Sequence, residues 1–101
     1  ARFVEAVAAL ANLAVNDKNE QEIARVGGLE VILDGAKAPS VDLRSQCARA
    51  LRNLSVNTDN KARLRDLGAI PLLRDIAASR GTRAAAQAQR ALENLEASDK
   101  K

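Results

Sequence analysis

Few of the 101 residues could carry acid–base or nucleophilic chemistry. Histidine is absent and Cys47 is the only cysteine. That removes the usual triads and imidazole relays, the usual zinc ligand sets and any internal disulfide. Asp34 and Asp75 recur singly, one per repeating unit, so they read as surface or capping positions rather than as a carboxylate pair. Gly27-Gly28-Leu29 has no lysine at phosphate-loop spacing and follows no strand. Asn53-Leu54-Ser55 matches a glycosylation triplet but lies inside a helical apolar pattern. The recurring polar residues are a different matter. Asn12, Asn53 and Asn94 follow one another at intervals of 41 residues, and a carboxamide can donate and accept at once. Gln46 and Arg49 precede Asn53 at the distances by which Gln87 and Arg90 precede Asn94. On a helix, residues three, four and seven apart share a stripe. Gln46, Arg49 and Asn53 therefore line up, as do Gln87, Arg90 and Asn94 and, more weakly, Glu5, Ala8 and Asn12.

These stripes require long helices repeated in register. Ala9-Leu10-Ala11-Asn12-Leu13-Ala14-Val15-Asn16 returns as Ala50-Leu51-Arg52-Asn53-Leu54-Ser55-Val56-Asn57, and again as Ala91-Leu92-Glu93-Asn94-Leu95. Gly27 corresponds to Gly68, and Ile23 to Leu64. A period near 40 belongs to helical repeats of the HEAT and armadillo kind. Each period reads as three helices. The first runs over about Asp17 to Val26, then Thr58 to Leu67, and stops at a glycine able to take the left-handed conformation. The second runs over about Leu29 to Lys37, then Pro71 to Ser79, where Pro71 fits a first helical turn. Pro39-Ser40 and Arg80-Gly81-Thr82 break the chain, with Ser40 and Thr82 as N-caps. The third and longest helix runs over about Val41 to Val56, then Arg83 to Glu96, and Arg2 to Val15 is a third helix without its first two partners. On the third helices Cys47, Leu51 and Leu54 face the core, and Cys47 stands where the other copies have Ala6 and Ala88. The expected class is all-α, a right-handed α-solenoid of about two complete three-helix repeats plus one preceding long helix. The organisation is 1–96 as the repeat domain (1–16, 17–57 and 58–96) and 97–101 as a polar tail. The N-terminal edge, with Phe3, Val4 and Val7 lacking a preceding repeat, is expected to be exposed and to favour self-association; it looks cut from something longer, the C-terminal end natural or close to it.

The repeat resembles the armadillo family. Gly68-Ala69-Ile70-Pro71-Leu72-Leu73 reproduces the family's turn into its second helix, and Ala50-Leu51-Arg52-Asn53-Leu54-Ser55 the end of its long helix. Asn60-Lys61 ahead of Leu64 is similar to its Glu-Asn-x-x-x-Ile stretch. The resemblance implies that the third helices line a concave groove holding an extended peptide, with Asn12, Asn53 and Asn94 as a ladder gripping its main chain. It implies a groove made of Asn12, Gln46, Arg49, Asn53, Gln87, Arg90 and Asn94. Nuclear-import receptors place a tryptophan four residues before the asparagine. This chain has Ala8, Arg49 and Arg90 there and contains no tryptophan, which argues against basic nuclear-localisation peptides. Two arginines favour an acidic or phosphorylated segment instead.

The composition fits an interaction module. Hydrophobic residues make up 47% and aromatic residues 1%, which suits close helix packing and offers no stacking platform for bases. The net charge is +3, from 16 cations and 13 anions interspersed along the chain, a solvated-surface pattern rather than a nucleic-acid footprint. No apolar run approaches the ~20 residues of a membrane span. The expected role is non-catalytic protein or peptide binding in the cytoplasm or nucleus, with no cofactor, no metal and no small-molecule substrate. The competing reading is a spacer within a longer scaffold, with weak nucleic-acid binding behind it.

Overall fold

The structure, a computed structural model, describes residues 2–13, 17–38, 40–79 and 81–97, with the side chains at 2–6, 17, 18 and 20 excepted. Pro39, Arg80, Val15, Asn16 and most of the polar tail lie outside the described residues, as do the side chains of Phe3, Val4 and Glu5. Seven helices follow one another among the described residues: α1 (Arg2–Leu13), α2 (Asp17–Arg25), α3 (Gly28–Ala36), α4 (Val41–Leu54), α5 (Thr58–Asp66), α6 (Ala69–Ala77) and α7 (Arg83–Glu96).

Local chemistry sets the boundaries. Gly27 and Gly68 sit at φ +84° and +85°, a region costly for residues with a Cβ, and each is the N-cap of the helix that follows. The second helix of each repeat therefore resumes at once, at Gly28 and Ala69, rather than at the expected Leu29 and Pro71. Pro71 becomes the third helical residue, still within the turn whose N–H groups have no helical partner. These helices also stop at Ala36 and Ala77, one and two residues before the expected ends. The Ser40 hydroxyl accepts from the Leu43 N–H at 3.2 Å, and the Thr82 hydroxyl from the Ala85 N–H at 3.0 Å. Asn57 caps α5 the same way, accepting from the Asn60 N–H at 3.1 Å. The α4 helix ends at Leu54, two residues before the expected Val56, because Ser55 has left the helical region at ψ 0° and its hydroxyl turns back to the Arg52 carbonyl at 2.9 Å.

The most extensive contacts run from α1 to α4 and from α4 to α7, followed by α6 on α7 and α3 on α4. The three long helices thus lie side by side, with the shorter helices packed along them. The core is aliphatic: Ile32, Cys47, Leu51, Leu54, Leu64, Leu73 and Leu95 are buried. Val7 corrects one expectation. It is 0% exposed, covered by the helices that follow α1 in sequence. Among the described residues of α1, Leu13 is an apolar side chain left open, 50% exposed, whereas its counterpart Leu54 is 0% exposed.

Candidate functional site

The stripe residues fall along the two seams between the long helices, and none of them is fully buried. At the first seam, the Arg49 guanidinium donates to Asn12 Oδ1 at 3.1 Å and to the Ala8 carbonyl at 3.5 Å on α1. It also donates to Gln46 Oε1, one turn back on α4, at 3.1 Å. Asn53 Nδ2 donates to the Ala11 carbonyl at 3.0 Å. At the second seam Asn94 Nδ2 donates to the Arg52 carbonyl at 3.3 Å and to Ser55 Oγ at 2.9 Å. Partners in these cross-helix bonds lie 37 to 42 residues apart. The long helices therefore stack parallel and nearly in register.

Of the seven expected groove residues, Asn12, Gln46 and Arg49 form one hydrogen-bonded group. Asn53 and Asn94 are joined through Arg52, whose side chain donates to Asn53 Oδ1 at 3.2 Å while its carbonyl accepts from Asn94. Gln87 and Arg90 stand apart from both groups. The Gln87 Oε1 atom is buried without a hydrogen-bond partner, and Arg90 is exposed, with no polar partner among the described residues. Neither Arg49 nor Arg90 pairs with a carboxylate there, so surface ion pairing does not account for them. The Glu5 side chain lies outside the described residues.

Two contributors escaped the sequence reading. Arg52 and Ser55 flank the asparagine motif, and Ser55 is fully buried where the other copies carry Ala14 and Glu96. A hydroxyl at the end of the middle helix alone was the available signal. The other acceptors are main-chain carbonyls of Ala8, Ala11 and Arg52, which no residue type can announce.

Amides, guanidinium groups and unspent acceptor capacity along three adjacent helices suit the gripping of a polypeptide main chain. Cys47 offers no competing chemistry. It is buried, and desolvation pushes its thiol up to about 12, which keeps it protonated and inert.

Comparison with known proteins agrees with this architecture. The family model described as Armadillo/beta-catenin-like repeat matches residues 16–56. A designed armadillo repeat protein superposes with a TM-score of 0.85 at 29% identity, over 91% of this chain and 40% of its own. An engineered protein superposes with a TM-score of 0.87 at 32% identity, over 91% of this chain and 38% of its own. A structure of computationally designed armadillo repeat proteins for modular peptide recognition superposes with a TM-score of 0.83 at 28% identity, over 90% of this chain and 39% of its own. No curated protein matches the chain. The chain spans about two fifths of the length of these solved structures. Residues 16–56 thus carry an armadillo repeat, and the chain as a whole has the fold of an armadillo-type all-α solenoid.

Proposed function

We propose that the chain is a non-catalytic binding module that holds an extended protein segment along the face formed by α1, α4 and α7. The observation that carries this reading is the continuity of the strip. Three long helices present amide and guanidinium side chains at equivalent heights, and none of these residues is fully buried. Asn53 retains a second N–H, and the carbonyl oxygen of Asn94 is uncommitted among the described residues. Likeness to a scaffold made for modular peptide recognition supports the same assignment. The arginines favour an acidic or phosphorylated segment. Among the described residues no helix is long and apolar enough to cross a membrane, and we place the module in the cytoplasm or nucleus, where its one thiol stays reduced.

A specific observation also favours the spacer reading. Asn53 and Asn94 each donate to the preceding long helix, so the asparagines hold the stack together whether or not a peptide binds. The two readings separate on an array of extended decapeptides of acidic, neutral and basic composition, probed with the wild-type chain and with the Asn53→Ala plus Asn94→Ala variant. The binding reading expects selective retention of acidic peptides by the wild type and its loss in the variant. Retention that is absent, or equal in the two, selects the spacer.

A further inference from the structure

The two groove arginines occupy the same repeat position but not the same state. Arg49 spends its guanidinium on three acceptors, two of them on the neighbouring helix α1. Arg90 is exposed without a polar partner among the described residues. Arg49 satisfies Gln46 Oε1, whereas the equivalent Gln87 Oε1 is buried and unpartnered.

The reason lies one residue before each asparagine. Folding Arg90 back as Arg49 does would bring it to Asn53 Oδ1, the counterpart of Asn12 Oδ1. That oxygen already accepts from Arg52. The first seam has no such competitor, because Ala11 stands where the second seam has Arg52. A single change of residue type thus puts another guanidinium at the acceptor that would latch Arg90, where like charges repel, and both the Arg90 guanidinium and Gln87 Oε1 remain unspent.

Resting on the peptide-groove reading, we infer that the anion subsite of the groove lies on α7 alone, at Arg90 with Gln87 beside it, while Arg49 is a clamp between α1 and α4. Its ligand is a peptide residue bearing an oxyanion, carboxylate or phosphate. The guanidinium takes the oxyanion through paired N–H donors, and the half-buried Gln87 side chain, by turning outward, brings its unpartnered Oε1 to a main-chain N–H of the same peptide. The two side chains sit three residues apart on one helix, close enough to serve adjacent atoms of one ligand residue. Further along the stripe, Arg83 shares a cleft of about 420 Å³ with Asp42, so its charge has a carboxylate nearby. Glu93, three residues beyond Arg90 on α7, accepts from Gln89 at 3.4 Å instead, and Arg90 forms no ion pair among the described residues.

The test is a ¹⁵N-edited NMR titration of the full chain with three capped pentapeptides, Gly-Ser-X-Ser-Gly, in which X is phosphoserine, glutamate or serine. The expected result is shifts of the Gln87 side-chain amide and the Arg90 Nε–H, with at least one charged peptide binding about tenfold tighter than the serine peptide, the scale of one hydrogen bond to a charged group. Equal gains for phosphoserine and glutamate identify any acidic residue as the ligand, and a gain confined to phosphoserine identifies a phosphorylated one. Arg90→Gln should abolish the gain. Arg49→Gln should keep it and lower the melting temperature instead. Arg52→Ala, which frees Asn53 Oδ1 to latch Arg90, should reduce the gain without touching either groove arginine. Loss of the gain in Arg49→Gln with retention in Arg90→Gln overturns the assignment while leaving the groove intact. Absence of shifts anywhere on the α1, α4 and α7 face, for all three peptides, removes the groove itself.

Discussion

Replacing Asn53 by alanine measures how firmly the amide ladder is committed to holding the stack. The change removes the Nδ2 bond to the Ala11 carbonyl at 3.0 Å and the Arg52 bond to Oδ1 at 3.2 Å. The first joins neutral partners on a half-buried side chain and is worth about 1 kcal/mol net. The second involves a guanidinium that solvent can recover, so its loss adds a few tenths of a kcal/mol at most. The sum is a little over ~1 kcal/mol, and in a domain of this size ~1 kcal/mol shifts the melting temperature by about 4–8 °C. Circular dichroism at the helical minimum gives the melting curve, and amide hydrogen exchange locates the effect. The variant should melt roughly 6 °C lower, with protection lost first on α1, where the deleted Nδ2 bond ends. In a solenoid, stability is largely a sum of repeat and neighbour-interface terms, so α7 should be spared. A melting temperature unchanged within about a degree, or loss of protection confined to α7, would refute the view that Asn53 fastens the first seam.

Gly28→Ala should destabilise by about 2 kcal/mol in urea titration, because a Cβ there would lie 2.5 Å from Ile23 Cγ2 and 2.7 Å from the Ile23 carbonyl oxygen. Gly27→Ala meets open space but a φ of +84°, and should cost about 1 kcal/mol; the reverse order would contradict the turn geometry. Leu54→Ala should cost about 3 kcal/mol, and Leu13→Ala at the same repeat position well under half of that, since one side chain is fully buried and the other 50% exposed. The Cys47 thiol should resist Ellman's reagent at pH 8 in the folded chain and react on unfolding. Its pKa rises from 9.0 to about 12 on folding, so its contribution to stability is complete below about pH 9 and is lost as pH climbs towards 12. A Cys47→Ala variant should therefore lose less stability than the wild type between pH 9 and 11 in matched urea titrations.

Much of the backbone was legible because period, punctuation and burial pattern agree. The interval of 41 residues separated the repeats, and the glycines, Ser40 and Thr82 divided each one into helices whose ends came within two residues of those observed where described. The apolar stripe of the third helix predicted Cys47, Leu51 and Leu54 as core, and all three are buried. Val7 departs from the expected exposure because α1 needs no preceding repeat to bury it: one face of that helix already packs against α3 and α4. The seam bonds were invisible for another reason. Three of the five end on main-chain carbonyls one repeat away, and only the stacking offset decides which carbonyl a side chain reaches.

The same limit explains why equivalent positions acquire different roles. Periodicity fixes where a side chain starts, but its partners are set by neighbours that need not repeat. Positions 11, 52 and 93 precede the three asparagines and carry alanine, arginine and glutamate. Arginine at the middle one turns Asn53 Oδ1 towards its own helix, while alanine at the first leaves Asn12 Oδ1 to Arg49. Position 55 behaves similarly. Its serine accepts from Asn94 and donates to the Arg52 carbonyl, so Asn94 engages two acceptors where Asn53 reaches across to one. Helix register therefore carries over from one repeat to the next, whereas a ligand contact carries over only when the flanking residue does too. For this chain that condition fails beside the arginines: Arg49 is bonded to Asn12 and Ala8 across the first seam, while Arg90 at the same repeat position has no polar partner among the described residues, and it is this difference that the proposed anion subsite rests on.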